Sequence, residues 1–276
     1  MTRTADDGPA ESADLVPADG ELAVLGRIRS ASNATFLCEA TVGDRQVHCV
    51  YKPIRGEAPL WDFPDGTLAG REVGAYLVSA ALGWNIVPHT IIRDGPAGPG
   101  MVQRWVDQPG DQVGEQPSSG PDLVDLLPAG QLPPGFLPIL QAYDYAGDEV
   151  TLVHADDPRL FRLAVFDVLI NNADRKGGHI LTGTDGAVYG VDHGVSLHVE
   201  DKLRTVLWGW AGKPVDEDTL ADVETLRGGF AGLADQLRAH ITDAEIAALR
   251  ARIIGLLDDP VMPTPDRHRP IPWPAF

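Results

Sequence analysis

The segment that most restricts the fold runs from Asp157 to Gly194, where an apolar helix-like stretch, a polar loop and a short hairpin follow one another. Asp157 and Pro158 supply an N-cap and a first helical position, and Arg159 to Ile170 then reads as a mostly buried helix that Asn171-Asn172 ends. The loop Asn171-Asn172-Ala173-Asp174-Arg175-Lys176-Gly177-Gly178-His179 comes next. Leu181, Val188, Tyr189 and Val191 bracket the turn Thr184-Asp185-Gly186, which predicts a tight hairpin leading into Asp192-His193-Gly194. This order brings a candidate base, Asp174, close in sequence to two candidate metal ligands, His179 and Asp192.

The preceding half has a different period. Leu22 to Ile28 and Phe36 to Val42 read as strands, and Val42-Gly43-Asp44-Arg45 turns the chain into a third, Gln46 to Lys52. In that strand Val47, Cys49 and Tyr51 share one face, and His48, Val50 and Lys52 the other. Pro, Gly and Asp interrupt residues 53–67. Residues 68–82 follow as a helix with Val73, Tyr76, Leu77 and Ala80 at helical spacing, stopped by Gly83. Ile86 to Arg93 is expected to be a strand, with a turn at Asp94-Gly95-Pro96 and a short strand or extended connector at Met101 to Val106. Residues 107–135, rich in Pro, Gly, Asp and Gln, read as an exposed connection or insertion in which Leu123, Leu126 and Leu127 dock a short helix. Near the end, Thr242-Asp243-Ala244-Glu245 fits a capping box ahead of the apolar face Ile246, Leu249, Ile253 and Leu256. The expected units are a disordered leader (1–18), a nucleotide-binding lobe and hinge (19–106), a catalytic lobe (107–257) and a C-terminal tail (258–276).

Charge narrows the partners. With 40 acidic and 22 basic residues the formal net charge is −18, which opposes attraction to nucleic acid or to an anionic membrane. The first residues carry neither a basic start nor an apolar signal core, and no apolar run is long enough to span a bilayer, so a cytoplasmic protein is expected. Cys38 and Cys49 fall on neighbouring strand candidates, as two buried thiols or as a disulfide.

Candidate site residues are spread along the chain. Lys52, ending the third strand, can place its ammonium over phosphate groups with Glu72 of the next helix as ion-pair partner; an exposed lysine and a solvated acid is the plainer alternative. Ser30, Ser32, Asn33, Ala34 and Thr35 lie between the first two strands, where backbone donors and hydroxyls can cradle phosphate oxygens, although a generic polar hairpin has the same composition. In the connector, Met101, Gln103, Trp105 and Val106 can give an adenine an extended backbone edge and apolar contact, or serve as core. Asp174 suits a base that orients a hydroxyl, and Arg175 either neutralises phosphate or braces the loop. Asp192 offers hard oxygen to Mg²⁺; His179 either joins it, with a softer nitrogen better suited to Mn²⁺, or hydrogen-bonds to Asp192 or the loop. A hydrolytic metal centre from His154, His179, His193 and His198 lacks the spacing of a zinc motif. Trp208, Trp210 and the acidic stretch 214–223 either shape an acceptor site or are two core anchors beside a solvated face.

The ordered set Lys52, Glu72, the 101–106 connector, Asp174-Arg175, His179 and Asp192 resembles the phosphatidylinositol 3-/4-kinase-like branch of the protein-kinase-like superfamily. More narrowly it resembles an actinobacterial family related to that branch. The likeness runs from about residue 20 to 257, carried by the phrases YKPIRGE, NNADRKGGH and VDHGVSLH. It implies an α+β, two-lobed protein-kinase-like fold with an N-terminal mixed sheet lobe and a mainly helical C-terminal lobe. Carried over residue by residue, Lys52 contacts the phosphates of ATP, Glu72 steadies Lys52, Asp174 is the base, and Asp192 chelates Mg²⁺ or Mn²⁺. His179 stands where many relatives have asparagine, and Asp192-His193-Gly194 replaces the more familiar Asp-Phe-Gly. The implied reaction is transfer of the γ-phosphate of ATP to a hydroxyl on a small molecule or protein. Its rivals are AMP transfer and an ATP-responsive regulatory module. Neither the acceptor nor the oligomeric state can be read from the residues.

Overall fold

A computed structural model describes residues 17–28, 33–110, 122–266 and 269–276. Alternating burial along β3 (Arg45–Pro53) organises the first half: Cys49 and Tyr51 are fully buried, while Gln46, His48, Val50 and Lys52 occupy the opposite face. With β1 (Glu21–Arg27), β2 (Phe36–Val42), β4 (Thr90–Gly95) and β5 (Gly98–Arg104), this strand makes a five-stranded sheet of order β1-β2-β3-β5-β4. Every pairing in it is antiparallel. The strand expected from Ile86 begins only at Thr90, because Ser79 Oγ takes the backbone N–H groups of Ile86 (3.0 Å) and Val87 (3.2 Å) and ties them to the preceding helix. Cys38 lies directly opposite Cys49. Both are free, and burial pushes their thiols up to about 11 and about 12.

Across the sheet runs α1 (Leu68–Ala81), whose first turn is satisfied twice. Thr67 Oγ1 accepts the N–H of Gly70, and the Glu57 carboxylate accepts those of Leu68 and Ala69 at 3.0 and 2.8 Å. The phrase Tyr51 to Glu57 therefore serves two ends: Lys52 leaves the sheet toward the cleft, and Glu57 caps the helix that carries Glu72.

The second half holds a three-stranded sheet of β6 (Val124–Pro128), β7 (Phe136–Tyr143) and β8 (Glu149–Ala155), with β8 central. The short helix expected near Leu126 and Leu127 is strand β6: they pair with Leu152 and Thr151 of β8, a partner some 25 residues away that no local pattern reveals. Next come α2 (Pro158–Ile170), the hairpin β9 (Ile180–Thr182) and β10 (Val188–Gly190), and helices α3 (Glu217–Leu237) and α4 (Asp243–Asp258). Asp157 caps α2, and the Thr242/Glu245 capping box is formed at α4. Leu163, Phe166 and Ile170 of α2 meet Leu226 and Leu237 of α3 and Leu249 and Ile253 of α4 in a core that also takes in Ala75 and Val78 of α1. Each such side chain contributes about 1.5–3 kcal/mol on full burial, so the helix carrying Glu72 is anchored by the C-terminal lobe as well as by the sheet.

The last residues turn back across the lobe. Pro270 O accepts the N–H of Thr205 (3.1 Å) and of the Trp208 indole (2.9 Å), and Ala275 O accepts the N–H of Gly177 (2.8 Å). The Phe276 ring lies where a Cβ on Gly177 would project, which only glycine permits. Among the described residues no helix is long and apolar enough to cross a membrane.

Candidate active site

A cleft of about 510 Å³ opens between β3, α1, the loop after α2 and the segment after β10. Lys52 spans it. Its Nζ is 2.9 Å from Glu72 Oε1 and in direct contact with Asp192 Oδ1 on the far wall. Burial by itself lowers the lysine pKa, but the two carboxylates outweigh it and hold the ammonium above its ordinary value. Glu72 is fixed in turn, since its other oxygen accepts the N–H of His193 at 2.9 Å.

The loop bearing Asp174 rests on a buried polar frame. Helix α2 ends at Asn171 in the left-handed region, and the Asn171 amide reaches the carbonyls of His198 and Glu200. Asp167, a lone carboxylate within the apolar run of α2, accepts from Asn172 Nδ2 (2.9 Å) and from Nε and an Nη of Arg175 (3.0 and 2.9 Å). Arg175 is fully buried and spends its remaining donors on the carbonyls of His179 and Val191, both at 3.1 Å, and on His193 Nε2 at 2.7 Å. Having accepted there, neutral His193 carries its proton on Nδ1, which faces Glu72 4.0 Å away. Burial and the neighbouring Arg175 charge hold that imidazole far below its usual pKa. Arg71, also buried, ties α1 to the segment after β10 through Ser196 O (2.8 Å) and to α4 through Glu245 (2.5 Å). Three of the five described non-glycine residues with positive φ, namely Asn171, Asp192 and Leu197, lie in this frame, so backbone strain is concentrated where Asp192 must point into the cleft.

Burial raises the Asp174 pKa and the Asp192 charge adds to that, while Lys176, 3.6 Å away, and Arg204 draw it down. His179 is more sharply defined. Its Nδ1 is 2.9 Å from the Asp174 carbonyl, which can only accept, so Nδ1 carries the proton. Its unprotonated Nε2 then faces Asp192 Oδ2 at 3.5 Å. Burial pushes this imidazole down to about 4, so it is neutral near neutral pH. A lone pair facing a carboxylate oxygen is an unfavourable contact that a divalent cation shared by the two atoms relieves, so His179 and Asp192 fit such an ion. Among the described residues no group of three or more His, Cys, Asp or Glu is placed to hold a metal.

Of the residues singled out in the sequence, Asn33, Ala34, Thr35, Lys52, Glu72, Asp174, His179 and Asp192 line this cleft together. Ser30 and Ser32 lie outside the described residues. For Arg175 the geometry selects the bracing alternative: every guanidinium donor is spent inside the frame and none reaches the cleft. Met101 and Gln103 sit within β5, hydrogen-bonded on both sides between β3 and β4, with Gln103 Nε2 bound to Thr90 Oγ1 at 2.8 Å, so neither offers an edge to a base. Val106 is buried, and Trp105 gives its N–H to His48 O at 2.9 Å. Trp105 lines a second cavity of about 320 Å³ with Gln46, Val47, His48, Arg104 and Asp107. His154, packed on Trp210 and accepting the Gly209 N–H, is apart from the cleft, so the four histidines form no common centre. Trp208 and Trp210 are buried anchors, their indoles bound to Pro270 O and Asp156. Sequence reasoning passed over Asp167, whose signal was an acid inside an otherwise apolar helix, as well as the helix-capping Glu57 and the cleft cations Lys176 and Arg204.

An antiparallel sheet crossed by one helix, joined by a connector to a mainly helical lobe with the polar cleft between them, is a two-lobed α+β architecture. No protein-family model matches the sequence. Protein Rv2133c of Mycobacterium tuberculosis (strain ATCC 25618 / H37Rv) is 72% identical over 262 residues, spanning 95% of this chain and 94% of that protein, and the chain belongs to the same family. Among solved structures it is similar to a golgi casein kinase (TM-score 0.48, 13% identity, 92% of this chain and 75% of that one). It is also similar to the Helicobacter pylori proinflammatory kinase CtkA (TM-score 0.46, 9% identity, 88% and 93%).

Proposed function

We propose that the chain is an ATP-dependent phosphotransferase that moves the γ-phosphate to a hydroxyl of an acceptor. The observation that carries this is Lys52, held charged between Glu72 on its own side of the cleft and Asp192 across it, in a cleft that Asp174 also lines. Lys52 neutralises phosphate oxygens and releases its contact with Asp192 as they enter; Glu72 keeps its Nζ aimed. Asp192 and His179 would hold Mg²⁺ or Mn²⁺, which supplies charge neutralisation at the phosphates when bound. Asp174, anchored through its own N–H to Asn172 Oδ1 at 3.0 Å, orients the acceptor hydroxyl and takes its proton. The backbone of 33–35 closes the phosphate end.

The base of the nucleotide is assigned to the cavity beside Trp105. His48, on its rim, and Lys52 lie on the same face of β3 four residues apart, about 13 Å at ~3.3 Å per residue. Incubation with ATP labelled on either the α- or the γ-phosphate, cell-extract acceptors and Mg²⁺ or Mn²⁺, comparing the intact protein with Asp174→Asn, tests the reading. Transfer of the γ-label alone, lost in the variant, supports it. Transfer of the α-label means that AMP moves, and undiminished γ-transfer in Asp174→Asn removes Asp174 as the base.

A further inference from the structure

Arg204 lines the same cleft as Asp174, with its head group uncommitted. Lys52 is engaged by Glu72 and Asp192, and Lys176 lies 3.6 Å from Asp174. Among the described residues no hydrogen bond or ion pair holds the Arg204 guanidinium, although the residue lines the cleft and its charge acts on Asp174. Its backbone, in contrast, is clamped. The N–H of Arg204 binds Asn172 O at 2.9 Å, its carbonyl accepts the N–H of Arg175 at 3.0 Å, and the N–H of Val206 returns to Arg175 O at 3.1 Å. Residues 204–206 thus run as a short parallel companion to the loop that carries Asp174, with Thr205 bridged to Arg175. A free guanidinium on a clamped backbone, in the cleft that holds a candidate base and in a chain of net charge −18, offers a site to an anion.

We infer that Arg204 binds an anionic group, carboxylate or phosphate, on the hydroxyl-bearing acceptor, and so selects small hydroxylated anions over neutral alcohols. This rests on the phosphotransfer reading for the role of the hydroxyl but not for the anion contact itself. The overall negative charge argues against the same group being presented by a nucleic acid or an anionic membrane surface. The geometry suits a small acceptor, which enters the cleft with one charge to meet Arg204 and one hydroxyl to meet Asp174.

The test uses calorimetric titration of the full chain with glycerol, glycerate and glycerol 3-phosphate, with and without a non-hydrolysable ATP analogue. The expected result is that at least one of the two anions binds about ten- to a hundred-fold more tightly than glycerol. Arg204→Gln should erase that difference and Arg204→Lys restore part of it, both with unchanged affinity for the ATP analogue. Glycerate and glycerol 3-phosphate separate a carboxylate preference from a phosphate preference. Equal binding of all three probes overturns the inference. So does an Arg204→Gln variant that weakens the ATP analogue as much as it weakens the anions, since Arg204 would then belong to the nucleotide. Failure of the phosphotransfer reading has a different signature, namely no binding of the ATP analogue while the anions still bind through Arg204.

Discussion

Acid should weaken this fold well before its carboxylates titrate, and His154 is where that can be measured. His154 is fully buried at the centre of the three-stranded sheet, with Nδ1 2.8 Å from Ala155 O and Nε2 accepting the Gly209 N–H at 3.0 Å. A second proton would set two N–H groups against each other, and burial pushes the imidazole from 6.5 down to about 4; His179 is depressed to the same degree, also by burial. Between those values the unfolded chain binds the proton and the folded one does not, so stability falls as pH falls. Each of the two costs about 2 kcal/mol between about pH 7 and about pH 5, so together they remove about 4 kcal/mol, a large share of a typical domain's stability. His193 adds to this, whereas Asp174, raised by burial, acts in the opposite sense. The depressed carboxylates Asp157, Asp185 and Asp216 lose their contribution only below the unfolded value of 3.8, outside this window. Urea titrations followed by tryptophan fluorescence at the two pH values, on the natural sequence and on His154→Gln, read the effect directly. The variant should lose about 2 kcal/mol less than the parent on acidification. Identical losses would mean that the buried imidazole does not resist protonation as its surroundings require.

Other outcomes follow from the same geometry. Lys52→Met should abolish labelled transfer from ATP, while Glu72→Gln, which leaves Lys52 charged but less well aimed, should reduce it less; equal loss in both would contradict the division of roles. His179→Asn exchanges a nitrogen for an oxygen ligand beside Asp192 and should shift the ratio of rates with Mn²⁺ and Mg²⁺ toward Mg²⁺, an unchanged ratio arguing that His179 makes no metal contact. Asp167→Ala strands buried Arg175 and should cost about 3–5 kcal/mol in chemical denaturation, whereas a cost near that of a surface change would show the frame to be dispensable. Gly177→Ala should lower transfer because its new methyl meets the Phe276 ring, and adding Phe276→Ala should restore it.

How much of this was readable beforehand depended on the range of the interactions. The helix at 158–170, the capping box at Thr242 and the faces of β3 rest on contacts within a few residues, and each is formed where its pattern put it. The grouping of Lys52, Glu72, Asp174, His179 and Asp192, which line one cleft, was expected from the ordered set of motifs and the resemblance that the set carries, since Lys52 or Asp174-Arg175 alone is a weak signal. Strand β6 was read as a helix because its pairing with β8 leaves no mark on its own residues. Which alternative holds at Met101 and Gln103, interior strand or open connector, was hidden for a similar reason. Whether an extended segment is an edge or an interior strand is decided by β3 and β4 on either side, and only the latter case uses up both rows of backbone groups. Arg175 illustrates a third limit, since a charged residue in a reactive loop has the same sequence whether its head group points out to a ligand or inward to Asp167.

The return of the chain to Gly177 has a practical side. Any purification tag or fluorescent fusion placed after Phe276 emerges against the loop that holds Asp174, where it can shield the cleft or pull Ala275 from its hydrogen bond. Recombinant material carrying its tag at that end would therefore report on a disturbed loop. Biochemistry on this protein is better done with the tag at the other end, or with the C-terminal residues left as they are.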